Sequence, residues 1–460
     1  MAEENRTSKP HILTLPYPSQ GHINPLLHLS KRLASKGAKT TLATTVFIAK
    51  SFTVCPATTS QVQFDTISDG FDDGGFSHAE SIESYISHLQ AAGSKSLAEL
   101  IQRHKRSGHP IDCIVYDAFL PWALDVAKAF GLRCAAFFTQ PCAVNYIYYL
   151  TYNGVLVVPG DSASLMKIPG MPEMVMSDMP SFIAVSGSYS AYFELVLNQF
   201  CNVEKADAIL VNSFHQLEPQ VIDLMSGIYP TLTIGPTIPS KYLDKQVSGD
   251  DDDYGLNLFS ASDPNICADW LSTKPKGSVV YVSFGSMAVL GEEQMYEIAF
   301  ALKSLDCYFL WVVRECEQPK LPSNFANDTS SKGSLVSWCP QLEVLASKAV
   351  GCFFTHCGWN STVEALSLGV VMVGMPQWTD QPTNAKLVED FWQVGKRVKV
   401  DEKGVVGREE IESCIKEVME RKDLKKNALK WRELAKEAVC EGGSSDRNID
   451  QFISKILCKT

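Results

Sequence analysis

WCPQLEVLASKAVGCFFTHCGWNSTVEALSLGVVMVGMPQWTDQ, residues Trp338–Gln381, is the stretch whose reading decides the fold. Its centre is a short apolar run, Gly351–Thr355, followed by His356-Cys357-Gly358-Trp359-Asn360-Ser361 and then a helical pattern. This order predicts a strand that turns sharply through Gly358 into a helix. Such a turn presents main-chain N–H groups with no helical partner at the positive end of a helix dipole. A diphosphate can be held there without a metal. His356, Asn360 and Ser361 can add side-chain donors, and Glu364, one turn into the helix, can accept from two ribose hydroxyls. Taken singly, each feature has an ordinary structural explanation: a Gly-Trp turn is often a packing corner, and Asn-Ser is often only a helix cap. The weight lies in the string as a whole.

Outward from this stretch, short apolar runs alternate with helical patterns along the chain. The strands expected in the first half are His11–Tyr17, Lys39–Val46, Val62–Ile67, Ile111–Asp117, Arg133–Thr139 and Ala208–Asn212. Those in the second half are Val279–Gly285, Tyr308–Val313, Ser334–Trp338, Gly351–Thr355, Val370–Met375 and Lys396–Val400. Many are apolar without alternation, as strands covered by helices on both faces are. The pattern predicts an α/β protein with two doubly wound parallel sheets. Asn24-Pro25 reads as a helix cap with proline at the first helical position. Helical periodicity also covers Glu292–Leu305, Leu424–Cys440 and Asn448–Leu457. Ser240–Ser262, with the acidic run Asp250–Asp253, reads as a solvated interdomain loop.

Composition removes several classes. The formal net charge of -11 argues against nucleic acid, which calls for a basic face, and against anionic membranes. Met1–Lys9 is polar, the apolar run that follows is too short for a signal peptide, and no stretch is long enough to span a bilayer. The 14 cysteines include no CxxC pair. They read as small buried hydrophobes in a reducing, cytoplasmic setting, and cysteine ligation of a metal is not expected.

Among nine histidines, His22 is singled out. It follows the first strand at its C-terminal end, where ligands gather in open α/β sheets. His11 reads as structural, and His28, His78, His88, His104, His109 and His215 as packing or surface residues. Asp117 closes another strand on the same edge. A carboxylate there could orient an imidazole and stabilise its protonated form, although it could equally cap the helix that begins near Leu120. Thr139 ends a third strand.

The segment Trp338–Gln381 resembles the signature box of plant UDP-dependent glycosyltransferases, family 1, and has the same length. The resemblance extends to Pro16–His22, to Phe284–Met287 and to Glu441–Asn448. It implies the GT-B fold: two facing Rossmann-like doubly wound domains with the active site in the cleft between them. Residues 1–240 would form the acceptor-binding domain, 241–262 the linker and 263–442 the UDP-sugar-binding domain, with a last helix, 443–460, returning to the first domain. By the same resemblance, Trp338 stacks on uracil, Gln341 and Glu364 hold the ribose, His356, Asn360 and Ser361 contact the diphosphate, and Ser286 is a further nucleotide or donor contact. Trp359, Asp380 and Gln381 face the sugar, with a terminal glutamine associated with glucose. His22 would be the base, Asp117 its partner, and Thr139 a donor contact. Val371 departs from the usual proline, away from these contacts.

The resemblance implies UDP-glucose as donor, no permanently bound cofactor, no metal and a monomer. Cys113–Gly131, Phe137–Leu150 and Leu232–Leu258 look closest to a branch that glucosylates small aromatic acids, thiohydroximates and steroids. Tyr17, Phe119, Phe182 and Tyr189 are candidate acceptor-pocket aromatics. The expected reaction is inverting glucose transfer to a hydroxyl of a small apolar metabolite such as a steroid, terpenoid or phenolic. Glucose ester formation on a small aromatic carboxylic acid is the alternative. A nucleotide-dependent oxidoreductase would need Gly-x-Gly-x-x-Gly after a strand, and the first strand ends in Pro-Ser-Gln-Gly-His instead.

Overall fold

A computed structural model of the chain describes residues 9–51, 61–156, 164–185, 187, 189–248, 250 and 265–457. Two parallel sheets organise them. The first contains β1 (His11–Leu15), β2 (Lys39–Thr45), β3 (Val62–Ile67), β4 (Cys113–Asp117), β5 (Arg133–Phe138), β6 (Ala208–Val211) and β7 (Thr231–Thr233), in the order β3-β2-β1-β4-β5-β6-β7. The second contains β8 (Val279–Ser283), β9 (Tyr308–Val312), β10 (Gly333–Val336), β11 (Val350–Thr355), β12 (Met372–Gly374) and β13 (Gly395–Arg397), in the order β10-β9-β8-β11-β12-β13. These are doubly wound Rossmann-like sheets, the architecture of GT-B proteins. All the strands expected from the apolar runs occur, with ends shifted by at most three residues. The addition is β7, a three-residue Thr-Leu-Thr strand with no apolar run to betray it.

The strand order reverses between β1 and β4 in the first sheet and between β8 and β11 in the second. Leu15 stands beside Tyr116 in one, and Ser283 beside Thr355 in the other. Ligands of open α/β sheets bind outside the carboxyl ends of strands at such reversals. Asp117 ends β4, and the chain segments leaving β1, β8 and β11 carry His22, Ser286 and His356.

The chain forms two compact units, one of Met1–Val157, Gly187–Leu258 and Glu437–Thr460, the other of Val158–Ser186 and Phe259–Lys436. The described part of Val158–Ser186 therefore packs with the second unit, whereas the sequence pattern had kept residues 1–240 together. The helix Ser444–Leu457 lies on the first unit: Ile449, Phe452 and Ile453 are buried with Leu232, Ile234 and Ile12. Each such side chain contributes roughly 1.5–3 kcal/mol on leaving water. Polar ties fix its register, with Asn448 Nδ2 donating to the Thr233 carbonyl (2.8 Å) and Ser445 Oγ to that of Gly235 (2.6 Å).

Two sequence expectations are corrected. The first helix runs Gln20–Ser35, with Ser19 as N-cap, so Asn24 is no cap and Pro25 lies inside. The His22 and Ile23 N–H groups already donate to the Ser19 carbonyl, at 3.0 and 2.9 Å. The turn leaving β1 thus starts the helix early, and Asn24 Oδ1 accepts from Gln20 Nε2. His22 consequently sits in the first helical turn. Second, the loop after Ser240 is not simply solvated. Asp250 is buried and accepts from Lys31 Nζ (2.7 Å), while Asp244 takes both Nη atoms of Arg32 at 2.8 and 3.0 Å. Lys31 and Arg32 are buried on the first helix, and buried charges need partners. Asp251–Asp253 lie outside the described residues.

Two buried histidines make stability depend on pH. Burial, reinforced by Lys39, lowers His11 to about 4, and burial lowers His28 to about 3. An unfolded histidine binds its proton near about 6.5. Between about pH 6.5 and 4 the unfolded chain therefore holds more protons than the folded one, so stability falls as pH falls through that window. The melting temperature should drop between pH 6.5 and 5, above the ordinary carboxylate range. A flat profile there would contradict the assignment.

Candidate active site

In the first unit, His22 and Asp117 meet at the β1/β4 reversal. The His22 Nδ1–H donates to Asp117 Oδ2 at 2.7 Å; the carboxylate, an acceptor only, selects this tautomer. The Asp117 side chain is almost fully buried and that of His22 is 17% exposed. Asp117 Oδ1 accepts the Phe119 N–H at 3.0 Å. The two sequence readings of Asp117 are thus both present: one oxygen holds the turn, the other the imidazole. Nε2 is left as the nitrogen able to take a proton. Thr139 Oγ1 lies 3.4 Å from His22 Nδ1. The rings of Tyr17 and Phe119 approach that of His22 at 5.4 and 5.0 Å and each other at 5.9 Å. Burial pushes the Tyr17 hydroxyl well up, so it stays a neutral phenol.

The two other candidate aromatics have the following surroundings. Phe182 belongs to the second unit and packs edge-to-face on Trp378 at 6.0 Å. Tyr189 is 51% exposed, with φ of 58° at the start of the helix Ser190–Asn198.

In the second unit, β11 leads through His356 and Cys357 (φ 59°) to Gly358, the N-cap of the helix Trp359–Leu368. Cys357 therefore lies beyond the strand, in the turn. The His356 ring is wedged between two glycines: a Cβ at Gly285 or at Gly358 would stand 2.7 or 2.5 Å from Nε2. Gly285 also has φ of +76°, which disfavours any side chain there. Burial lowers His356 to about 4, outweighing a hydrogen bond to the Ser283 main chain. At neutral pH it is an uncharged imidazole beside an uncapped helix end.

The expected ribose residues are already linked to one another. Gln341 Nε2 donates to Glu364 Oε2 (2.7 Å) and Ser361 Oγ (2.9 Å), and Tyr281 OH donates to Gln341 Oε1 (3.0 Å). Glu364 is buried. Trp338, half-buried, precedes this network in the chain. At the far end of the stretch, Gln381 Oε1 accepts from the N–H groups of Gln377 (2.8 Å) and Trp378 (3.1 Å). That pairing settles which end of the amide is oxygen. Asp380 Oδ2 accepts from Asn384 Nδ2 at 2.7 Å. The Trp359 ring is buried against Trp392 at 6.0 Å.

Residues 76–441 match the model of the UDP-glucoronosyl and UDP-glucosyl transferase family. The chain belongs to this family. It is 55% identical to UDP-glycosyltransferase 74F2 of Arabidopsis thaliana, over 98% of this chain and 99% of that one. To flavonol 7-O-beta-glucosyltransferase UGT74F1 of the same plant it is 53% identical, with the same coverage. Among solved structures, Os79 from O. sativa in complex with UDP superposes with a TM-score of 0.91 at 41% identity, covering 97% of this chain and all of that one. Os79 has also been solved with a trichothecene. The chain is thus a plant-type UDP-glycosyltransferase of the 74 group, a GT-B transferase with a UDP-sugar as donor. The oxidoreductase alternative falls. Among the described residues of this glycosyltransferase, no helix is long and apolar enough to cross a membrane, and no three His, Cys, Asp or Glu side chains gather as metal ligands would.

Four residues of the glycosyltransferase escaped sequence reasoning. Tyr281, mid-strand in β8, gives no signal, because only the fold brings it to Gln341. Asn384 lies one helical turn after Asp380, a spacing that could have found it. It ties Asp380 to the Cys357 carbonyl, which it reaches at 2.9 Å. Arg314 directly follows the apolar run Tyr308–Val313, a cation at a strand's carboxyl edge. It donates to the carbonyls of Ser286 and Ala288 and so pins the loop that carries Ser286. Glu317 holds the far end of that loop by accepting the Leu290 N–H at 3.1 Å.

Proposed function

We propose that this glycosyltransferase moves glucose from UDP-glucose, with inversion, to a hydroxyl of a small apolar plant metabolite such as a steroid, terpenoid or phenolic. The observation that carries the reading is the 2.7 Å pair of His22 Nδ1 and Asp117 Oδ2. An alcohol or phenol must lose a proton to become a strong nucleophile, and histidine is the side chain suited to take it near neutral pH. His22 Nε2 accepts that proton while Asp117 stabilises the imidazolium formed. The freed oxygen bonds to the anomeric carbon as the bond from that carbon to the phosphate oxygen breaks. UDP leaves with the electron pair on the opposite face, and the α-linked donor gives a β-linked product. The main-chain N–H groups of the helix end at Gly358–Ser361, with the neighbouring side-chain donors, stabilise the departing charge. Trp338, Gln341, Glu364, Asn360 and Ser286 serve the nucleotide, and Asp380 and Gln381 the sugar.

The base favours a hydroxyl over a carboxylate acceptor, since a carboxylate at neutral pH has no proton to lose. Tyr17 and Phe119 beside His22 suit a flat apolar acceptor, and a relative named for flavonol glucosylation supports a phenolic. A monomer in a reducing, cytoplasmic setting fits the twelve described cysteines, all free thiols. Incubation with UDP-glucose and a panel of steroids, terpenoids, phenolics and aromatic acids, with NMR location of the glucose, tests the reading. Products only on carboxylates would overturn it.

The donor choice is testable at Gln381. With its oxygen held by two main-chain N–H groups, its Nε2 donates to a sugar hydroxyl of defined orientation. Galactose inverts the 4-hydroxyl and leaves a polar group unpaired, at a cost of about 1–3 kcal/mol. kcat/KM should therefore favour UDP-glucose over UDP-galactose by roughly tenfold to a hundredfold. The ratio should narrow in Gln381→Ala. Equal values in the unaltered enzyme would remove Gln381 from sugar choice.

A further inference from the structure

The loop Pro376–Asp380 leads to Gln381 through Thr379, whose φ is 56°. A β-branched residue rarely adopts a positive φ, and such strain persists only where the surroundings impose it. Here the surroundings are a segment nearly two hundred residues earlier in the chain. The Thr379 N–H donates to Ser181 Oγ at 2.7 Å, and the Ser181 N–H donates back to the Thr379 carbonyl at 2.8 Å. The pair closes a ring of two hydrogen bonds around the strained residue. Neighbouring contacts fasten the same segment. Phe182 meets Trp378 edge-to-face. The buried Asp178 carboxylate pairs with Arg397 at 2.7 Å and Lys386 at 3.6 Å, and its carbonyl accepts from Thr383 Oγ1 at 2.7 Å. All these residues lie in the second unit.

The loop so held is the one whose N–H groups, from Gln377 and Trp378, orient the Gln381 amide. We propose that Ser181 and Thr379 are positioning residues for sugar recognition. Their mutual hydrogen bonds keep the strained turn closed and thereby set the direction of the Gln381 amide and the place of Asp380. This rests on the reading that Asp380 and Gln381 contact the transferred sugar. Neither Ser181 nor Thr379 touches the nucleotide residues, so the effect falls on sugar discrimination and not on UDP affinity.

The test is donor selectivity in Ser181→Ala, Ser181→Thr, Thr379→Gly and Gln381→Ala, each with UDP-glucose and UDP-galactose, alongside UDP dissociation constants and melting temperatures. Ser181→Ala should lose roughly tenfold in kcat/KM for UDP-glucose, the scale of one hydrogen bond. Its glucose-to-galactose ratio should narrow, while UDP affinity stays within about twofold. Ser181→Thr keeps the accepting hydroxyl and should restore the ratio, which a role in folding alone would not require. Thr379→Gly adopts the positive φ without strain, so it folds even if Ser181→Ala does not. Both main-chain bonds to Ser181 remain, but glycine opens further backbone conformations to the turn, so the ratio should narrow. If Ser181→Ala and Thr379→Gly keep the full ratio while Gln381→Ala loses it, the positioning role is overturned and the sugar reading stands. If Gln381→Ala also keeps the ratio, the sugar reading itself falls and the inference with it.

Discussion

His22→Ala loses about 10²–10⁴-fold in turnover with hydroxyl acceptors, the range that general-base help supplies, while UDP binding is nearly unchanged. In the proposed mechanism the base acts on the acceptor and not on the nucleotide, whose expected contacts lie in Ser286 and the Trp338–Gln381 stretch, with Thr139 a further donor contact. The truncation does not disturb Asp117's other role, because Oδ1 still accepts the Phe119 N–H. A carboxylate acceptor provides the control: it needs no deprotonation, so any ester-forming activity should survive the substitution. Steady-state kinetics on one alcohol or phenol and one aromatic acid, with UDP binding by calorimetry, separate the cases. Near-unaltered turnover on the hydroxyl acceptor would remove His22 from the reaction.

Asp117→Asn should be almost as damaging, although it changes a single atom. The Phe119 N–H needs an acceptor at the position of Oδ1, so the asparagine carbonyl oxygen is drawn there. The amide NH2 then faces His22 Nδ1, which stands 2.7 Å from the present Oδ2. A donor opposite Nδ1 forces that nitrogen to accept, and the proton moves to Nε2. The nitrogen meant to take the acceptor's proton is then already protonated, and the charge that stabilised the imidazolium is gone. A loss of about 10²–10⁴-fold in kcat on hydroxyl acceptors follows from losing the base. Nitrogen-15 NMR of His22 should show the tautomer change directly. An Nδ1–H tautomer retained in the variant, or turnover retained, would contradict this account.

Much of this enzyme was legible before any coordinates. The apolar runs revealed twelve of the thirteen strands because parallel strands under two helical layers are buried on both faces. They missed β7, where Thr231 and Thr233 flank a lone leucine. His22 was legible as a residue at a strand's carboxyl end, but not as part of the first helical turn. Asn24-Pro25 mimics a cap, and only the bonds to the Ser19 carbonyl reveal the earlier start. Asp250 looked solvated because its neighbours in sequence are acidic. Its partner, Lys31, is more than two hundred residues away. That Phe182 packs on Trp378 was not legible either, since the two are 196 residues apart in the chain.

The sequence by itself determined the local alternation of strand and helix, the turn through Gly358 and the residue types able to meet a diphosphate and a proton. These follow from side-chain period, glycine's freedom and functional-group chemistry, all of which act over a few residues. Only the tertiary structure decided which strands are neighbours, and hence that His22 meets Asp117, that His356 lies between Gly285 and Gly358, and that Ser181 clasps Thr379. Those contacts join residues between 71 and 198 positions apart, apart from the short Gly358 turn. No local period encodes such pairings, because they depend on the order in which the sheets assemble.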